Sequence, residues 1–91
     1  MTSFTTRVEL HGATTKDYDE LHAAMVRGGF SRTITNSRGR WKMPTAEYRL
    51  AANLTAAQVC DKAHAIASAI RRNPWVLVTE GDVSAWITEA A

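Results

Sequence analysis

The chain has 91 residues, a length that fits one domain with one core, and a globule of this size has a radius of gyration of about 12 Å. Apolar residues are 45% and charged residues 22%, which excludes a disordered, collagen-like or coiled-coil chain. Eleven Lys and Arg against nine Asp and Glu leave a net +2, too mild to announce nucleic acid unless the charge is concentrated somewhere. No apolar run approaches the roughly 20 residues of a membrane span. Met1-Thr2-Ser3-Phe4 has neither a basic nor an apolar leader region, so no secretory signal is expected. The single Cys60 cannot form an internal disulfide, which fits a cytoplasmic protein.

Phe4 to His11 alternates cleanly. Phe4, Thr6, Val8 and Leu10 point one way and Thr5, Arg7, Glu9 and His11 the other, the pattern of a strand in a sheet covered on one side. Gly12-Ala13 breaks it, and Thr14 or Thr15 can cap a helix with Asp17 in its first turn. Tyr18, Leu21 and Met25, flanked by His22 and Val26, recur at helical spacing. Gly28-Gly29 ends that helix, one of them supplying a left-handed residue.

Phe30 to Asn36 is rich in β-branched residues and reads as a second strand. Ser37-Arg38-Gly39-Arg40 has the form of a hairpin tip. Pro44 blocks ladder pairing, so a third strand is expected from about Thr45, with Ala46, Tyr48 and Leu50 opposing Thr45, Glu47 and Arg49. Thr55-Ala56-Ala57-Gln58 is a capping box, and the helix it opens is expected to reach Arg72, about 27 Å. Val59, Ala63, Ile66, Ala67 and Ile70 form its apolar stripe, and Asn73-Pro74 stops it. Trp75 to Thr79 is a fourth, largely apolar strand. The tail from Gly81 to Ala91 suits a short helix through Val83, Trp86 and Ile87, or a strand through Val83, Ala85 and Ile87.

The order β-α-β-β-α-β predicts an α+β domain over residues 1–91, a ferredoxin-like split βαβ sandwich. Its four-stranded antiparallel sheet would run fourth-first-third-second, with both helices on one face and the other face open.

Three groups of residues carry candidate chemistry. The stretch 32–42 holds Arg32, Arg38, Arg40, Trp41 and Lys42 and no acid, so guanidiniums can neutralise phosphates while the indole stacks on an unpaired base. The bland alternative is a solvated turn with Trp41 folded over the sheet edge. On the open face, His11 beside Arg7 and Arg49 offers a general base and cations to steady charge on a phosphate. Were the first and third strands parallel neighbours, Arg7–Glu47 and Glu9–Arg49 would instead form a ladder of opposite charges that needs no chemistry. Cys60 and His64 stand at i, i+4, but nothing completes a triad or a zinc set. Strand four is apolar on both parities around Trp75, and with Trp86 in the tail this calls for a cover on one face, either the tail itself or a second subunit in a homodimer.

The segments Phe4-Thr5-Thr6-Arg7-Val8-Glu9-Leu10-His11, Tyr18-Asp19-Glu20-Leu21-His22 and Gly29-Phe30-Ser31-Arg32-Thr33-Ile34 resemble the GhoS-type endoribonuclease antitoxins of type V toxin–antitoxin systems and their small relatives. Pro44-Thr45-Ala46-Glu47-Tyr48 and Val76-Leu77-Val78-Thr79-Glu80 continue the resemblance through nearly the whole chain. It implies a ferredoxin-like domain similar to the CRISPR-associated small endoribonucleases, cutting the mRNA of a membrane-damaging toxin. Those nucleases carry an Asp for a metal at the end of the first strand, where this chain has His11, so neither metal nor cofactor is expected. His11 would then transfer the proton, with Arg7 or Arg49 on the scissile phosphate and Arg32, Arg38, Arg40, Trp41 and Lys42 holding single-stranded RNA. The alternative is a non-catalytic, phage- or mobile-element-encoded module, such as an anti-CRISPR, that inhibits a host protein or nucleoprotein.

Overall fold

The computed structural model describes residues 1–81 and 83–91. Strand β1 spans Thr2–Glu9, followed by helix α1 (Thr15–Arg27), strands β2 (Thr33–Asn36), β3 (Gly39–Lys42) and β4 (Glu47–Ala52), helix α2 (Ala56–Ser68) and strand β5 (Trp75–Glu80). The radius of gyration is 12.7 Å. None of the described helices is long and apolar enough to cross a membrane.

β1 is the centre of a three-stranded antiparallel sheet in the order β4-β1-β5, pairing Phe4 with Leu50 on one side and Glu80 on the other. Its alternation sends Phe4, Thr6 and Val8 to the buried face. Leu21 and Met25 of α1 and Val59, Ala63 and Ala67 of α2 join them in the core, so both helices lie against that face. Ile66, Ile70, Val76 and Val78 close it at the margin.

Both helix starts follow from their caps. Thr14 Oγ1 accepts from Asp17 N at 3.2 Å while Asp17 Oδ2 accepts from Thr14 N at 3.0 Å, and Thr55 with Gln58 repeats the exchange at α2. Arg71 donates its Nε to Asp17 Oδ2 at 2.9 Å, tying the start of α1 to the turn beyond α2. The bond from the Thr14 backbone, and then that from Arg71, hold the Asp17 carboxyl below its ordinary range. Gly29, at φ 95°, is the left-handed residue that ends α1. Gly28 sits so near α2 that a Cβ there would lie 2.7 Å from Ile66 Cδ1.

Four expectations are corrected. The sheet has three strands; the second strand, expected from Phe30, begins only at Thr33 and forms with Gly39–Lys42 a separate β2–β3 hairpin, while Phe30 packs in the core and Ser31 bridges Arg49 of β4. Gly39–Lys42, read as hairpin tip and loop, is a strand; its polar outer face hid it from a hydrophobicity pattern. β4 begins at Glu47, because Pro44 O accepts from Glu47 N at 3.1 Å in a turn that holds Ala46 at φ 66°. α2 ends at Ser68, not Arg72: Ile70 N and Arg71 N both bond Ala67 O, and Asn73 at φ 58° turns the chain back toward β5. Reversing from a helix into an antiparallel strand packed against it takes several residues, and α2 gives up its last turn to supply them.

Among the described residues, the His22–Tyr48 pair and the Thr6 hydroxyl lie inside. Tyr48, fully buried, meets His22 with Oη 2.7 Å from Nδ1. Desolvation, then the nearby Arg32 charge, lowers the His22 pKa below the ordinary 6.5. Desolvation pushes the Tyr48 phenol up to about 12. Thr6 Oγ1 is buried with no hydrogen-bond partner among the described residues.

Both features predict measurable stability changes. Replacing Thr6 with Val keeps the shape and removes the unsatisfied hydroxyl, so Thr6→Val should raise unfolding free energy by about 1 kcal/mol in urea titrations. For His22 the unfolded chain binds the proton first, so its contribution is complete above pH 6.5 and lost as pH falls toward the depressed folded value. For Tyr48 the unfolded chain loses its proton first, so stability falls as pH rises from 10 toward about 12. Urea midpoints of wild type should show both slopes, and His22→Gln should abolish the acid one.

Candidate nucleic-acid interface

The hairpin is fixed by Asn36. Its Oδ1 accepts from Arg38 N at 2.8 Å and from Trp41 Nε1 at 3.0 Å, and Gly39 turns the tip at φ 129°. The register pairs Thr33 with Lys42, Ile34 with Trp41 and Thr35 with Arg40. Alternation therefore places Arg40 and Lys42 on one face and Trp41 with Ile34 on the other. Arg40 Nη2 reaches Thr33 Oγ1 at 3.4 Å along its own face.

The five hairpin residues singled out in the sequence thus take different positions. Arg38 is exposed at the tip, and it lines a concavity of about 270 Å³ together with Trp41 and with Trp86 of the tail. Arg40 is exposed beside it on the opposite face. Lys42 is engaged by the tail, with Nζ 3.1 Å from Glu89 Oε2. Arg32, ahead of β2, stands close enough to His22 and Tyr48 for its charge to act on both, on the α1 side of the molecule.

The proposed proton-transfer group and its cations are spread over β1, β4 and the turn after β1. Arg7 is exposed and lies opposite Glu47 and Leu77. Arg49 is half-buried opposite Thr5, donating Nη1 to Thr5 Oγ1 at 2.7 Å. His11 lies beyond the end of β1, its ring packed edge-on against Trp75 at a centroid distance of 4.7 Å. At about 3.3 Å per residue, His11 is roughly 13 Å along the chain from Arg7 and roughly 20 Å from the level of Arg49. The three do not converge on one reacting atom. The charge ladder is half present: Arg7 does face Glu47, but in an antiparallel pair, so Glu9 lies opposite Trp75 and Arg49 opposite Thr5. Parallel pairing would have matched Glu9 with Arg49; β4 runs antiparallel to β1 instead.

On α2, Cys60 is half-buried and His64 Nδ1 lies 3.3 Å from Ser68 Oγ, a local contact on a solvated flank. No three His, Cys, Asp or Glu side chains gather as metal ligands would among the described residues.

The tail is what sequence reading left undecided. Among its described residues it takes neither the helix nor the full strand form. Lys42 N donates to Glu89 O at 2.8 Å and Ala91 N to Arg40 O at 3.0 Å, so the last residues bridge the outer edge of β3. On the way, Ser84 and Trp86 pass over the sheet's open face near Thr5, Glu47 and Arg49. No local pattern announces this path, since the partner edge lies more than forty positions away in sequence. Comparison with protein-family models, with curated proteins and with solved structures finds no match to this chain.

If Trp86 holds the tail on the hairpin, Trp86→Ala should speed amide exchange at Lys42 and Ala91 while leaving Phe4, Thr6 and Val8 protected. Unchanged exchange at Lys42 would show that the backbone bonds and the Glu89 pair suffice. That pair is exposed on both sides, and removing it with Glu89→Gln should cost under about 0.5 kcal/mol.

Proposed function

We propose that this chain binds single-stranded RNA at the β2–β3 hairpin. The observation that carries the reading is the concavity that Arg38 lines together with Trp41 and Trp86, with Arg40 on the hairpin's other face. A cation for phosphate and two aromatic surfaces for unpaired bases are the parts that sequence-tolerant single-strand binding uses. A rigid hairpin, pinned at its tip by Asn36, holds them in place before the ligand arrives.

The resemblance to GhoS-type antitoxins extends this to action on a toxin's mRNA. In that reading the fold is a ferredoxin-like split βαβ whose second strand is reduced to the Ser31–Arg49 bridge, the rest of that segment having peeled away into the hairpin. Endoribonuclease activity would require RNA itself to bring the phosphate to His11, since Arg7 on β1 and Arg49 on β4 lie further along the sheet. A second reading, a module that occupies a host protein, draws support from the exposed Trp75 and Leu77 on the open sheet face.

Arg38→Ala combined with Arg40→Ala should weaken binding to an unstructured RNA. On the single-strand scale it should reduce the slope of log K against log salt by about 1.4, the release of two counterions. Trp41→Ala should cost about 1–3 kcal/mol of binding, the worth of one stacked base. Binding equal to wild type in both variants would remove the hairpin from the interface. In the same assay, defined cuts that vanish in His11→Ala would establish the nuclease. RNA bound by wild type and left intact would leave a binding module.

A further inference from the structure

Among the described residues, the chain meets two of its four sheet edges, those of β4 and β3, and leaves those of β2 and β5 open. The outer edge of β4 is met by Ser31, with Ser31 N to Arg49 O at 2.7 Å and Arg49 N to Ser31 O at 2.8 Å. The outer edge of β3 is met by the tail at Glu89 and Ala91. β2 is only four residues long. β5, in contrast, runs for six residues at the end of the β4-β1-β5 sheet, and no described segment pairs with its outer side. Every second residue of such an edge directs an N–H and a C=O outward. Edges of this kind are normally blunted by charge, proline or a bulge. Here the stretch from Trp75 to Thr79 contains no charge and no proline, and Trp75 and Leu77 are 68% and 65% exposed on the open face.

We infer that β5 is a homodimerisation edge, pairing antiparallel with β5 of a second copy to join two three-stranded sheets into one of six. The sequence of the strand selects a second copy over an unrelated strand. Two copies related by an axis perpendicular to the sheet keep their helices on the same side. Cross-strand partners must then share parity, which also sets outward-pointing backbone groups opposite one another. The register that meets this condition and leaves Pro74 and Glu80 outside the ladder centres on Leu77. It sets Leu77 against Leu77 of the second copy, Val76 against Val78 and Trp75 against Thr79. Each pair is apolar or β-branched, the kind that stabilises antiparallel ladders. Shifting the centre to Val76 places Val78 opposite Pro74, which has no N–H to donate, and shifting it to Val78 places Val76 opposite the Glu80 charge. The interface is self-complementary, as a two-fold contact requires. It also sets the two hairpins at opposite ends of the shared sheet, beyond each β4. It stands independently of the RNA reading.

Light scattering on the full chain at about 100 µM, a concentration suited to an interface smaller than the standard size, should give twice the monomer mass. Leu77→Arg, at an exposed position, should return the monomer mass with an unchanged circular dichroism spectrum. A Leu77→Cys variant carrying Cys60→Ser should form an intermolecular disulfide under mild oxidation, because directly opposed residues lie within bridging distance. Trp75→Cys in the same background should not, since the two copies of position 75 are offset by four residues. A monomer at that concentration overturns the proposal. So does a dimer that survives Leu77→Arg, or one in which position 75 cross-links and position 77 does not.

Discussion

The central position of β1 is the constraint on which the rest of the molecule depends. A strand paired on both sides has no freedom of register, because a slip of one residue would turn Phe4, Thr6 and Val8 outward and Thr5, Arg7 and Glu9 inward. The apolar stripes of α1 and α2 are matched to that one face. Thr6 sits in the middle of it with its hydroxyl unsatisfied, so packing there outweighed the cost of one buried polar atom. His22 and Tyr48 solve the same difficulty by meeting each other at 2.7 Å between α1 and β4.

The opposite face of the sheet is divided in two. Toward β4, the tail with Trp86 passes over Thr5, Glu47 and Arg49 and ends against β3. Toward β5, Trp75 and Leu77 stay exposed, with His11 packed on the Trp75 indole. Residues that looked in sequence like one polar cluster are therefore distributed between a covered half and an open half. Chemistry-bearing side chains are carried by the sheet, but an extended strand spaces them by several ångströms per residue and does not focus them as a cleft would. The concentration of positive charge that remains is at the hairpin, where a turn brings residues distant along a strand next to one another.

Local chemistry was legible where it was self-contained. The alternation from Phe4 to Val8, the Thr55 cap, a cap at Thr14 out of Thr14 and Thr15, and a left-handed residue at Gly29 out of Gly28 and Gly29 each depend on a few neighbouring residues and each formed, although β1 stops at Glu9, short of His11. The misreadings involve partners far off in sequence. β3 has no hydrophobic alternation of its own and exists because Trp41 packs opposite Ile34 on one side while the tail bonds its outer edge on the other. The Arg, Trp and Lys of the hairpin were visible as a cluster, but their division between two faces follows from the Thr33–Lys42 register. Nothing near Lys42 in sequence announces Glu89.

By itself, then, the sequence determined the helices, the central strand, the buried face and the acid-free basic segment, because periodicity and capping are short-range properties. Tertiary structure alone decided that the sheet stops at three strands, that the hairpin stands apart, and where the tail goes. Those outcomes turn on which backbone edges meet, and an edge offers the same donors and acceptors whatever its side chains, so only the packed chain can select its partner.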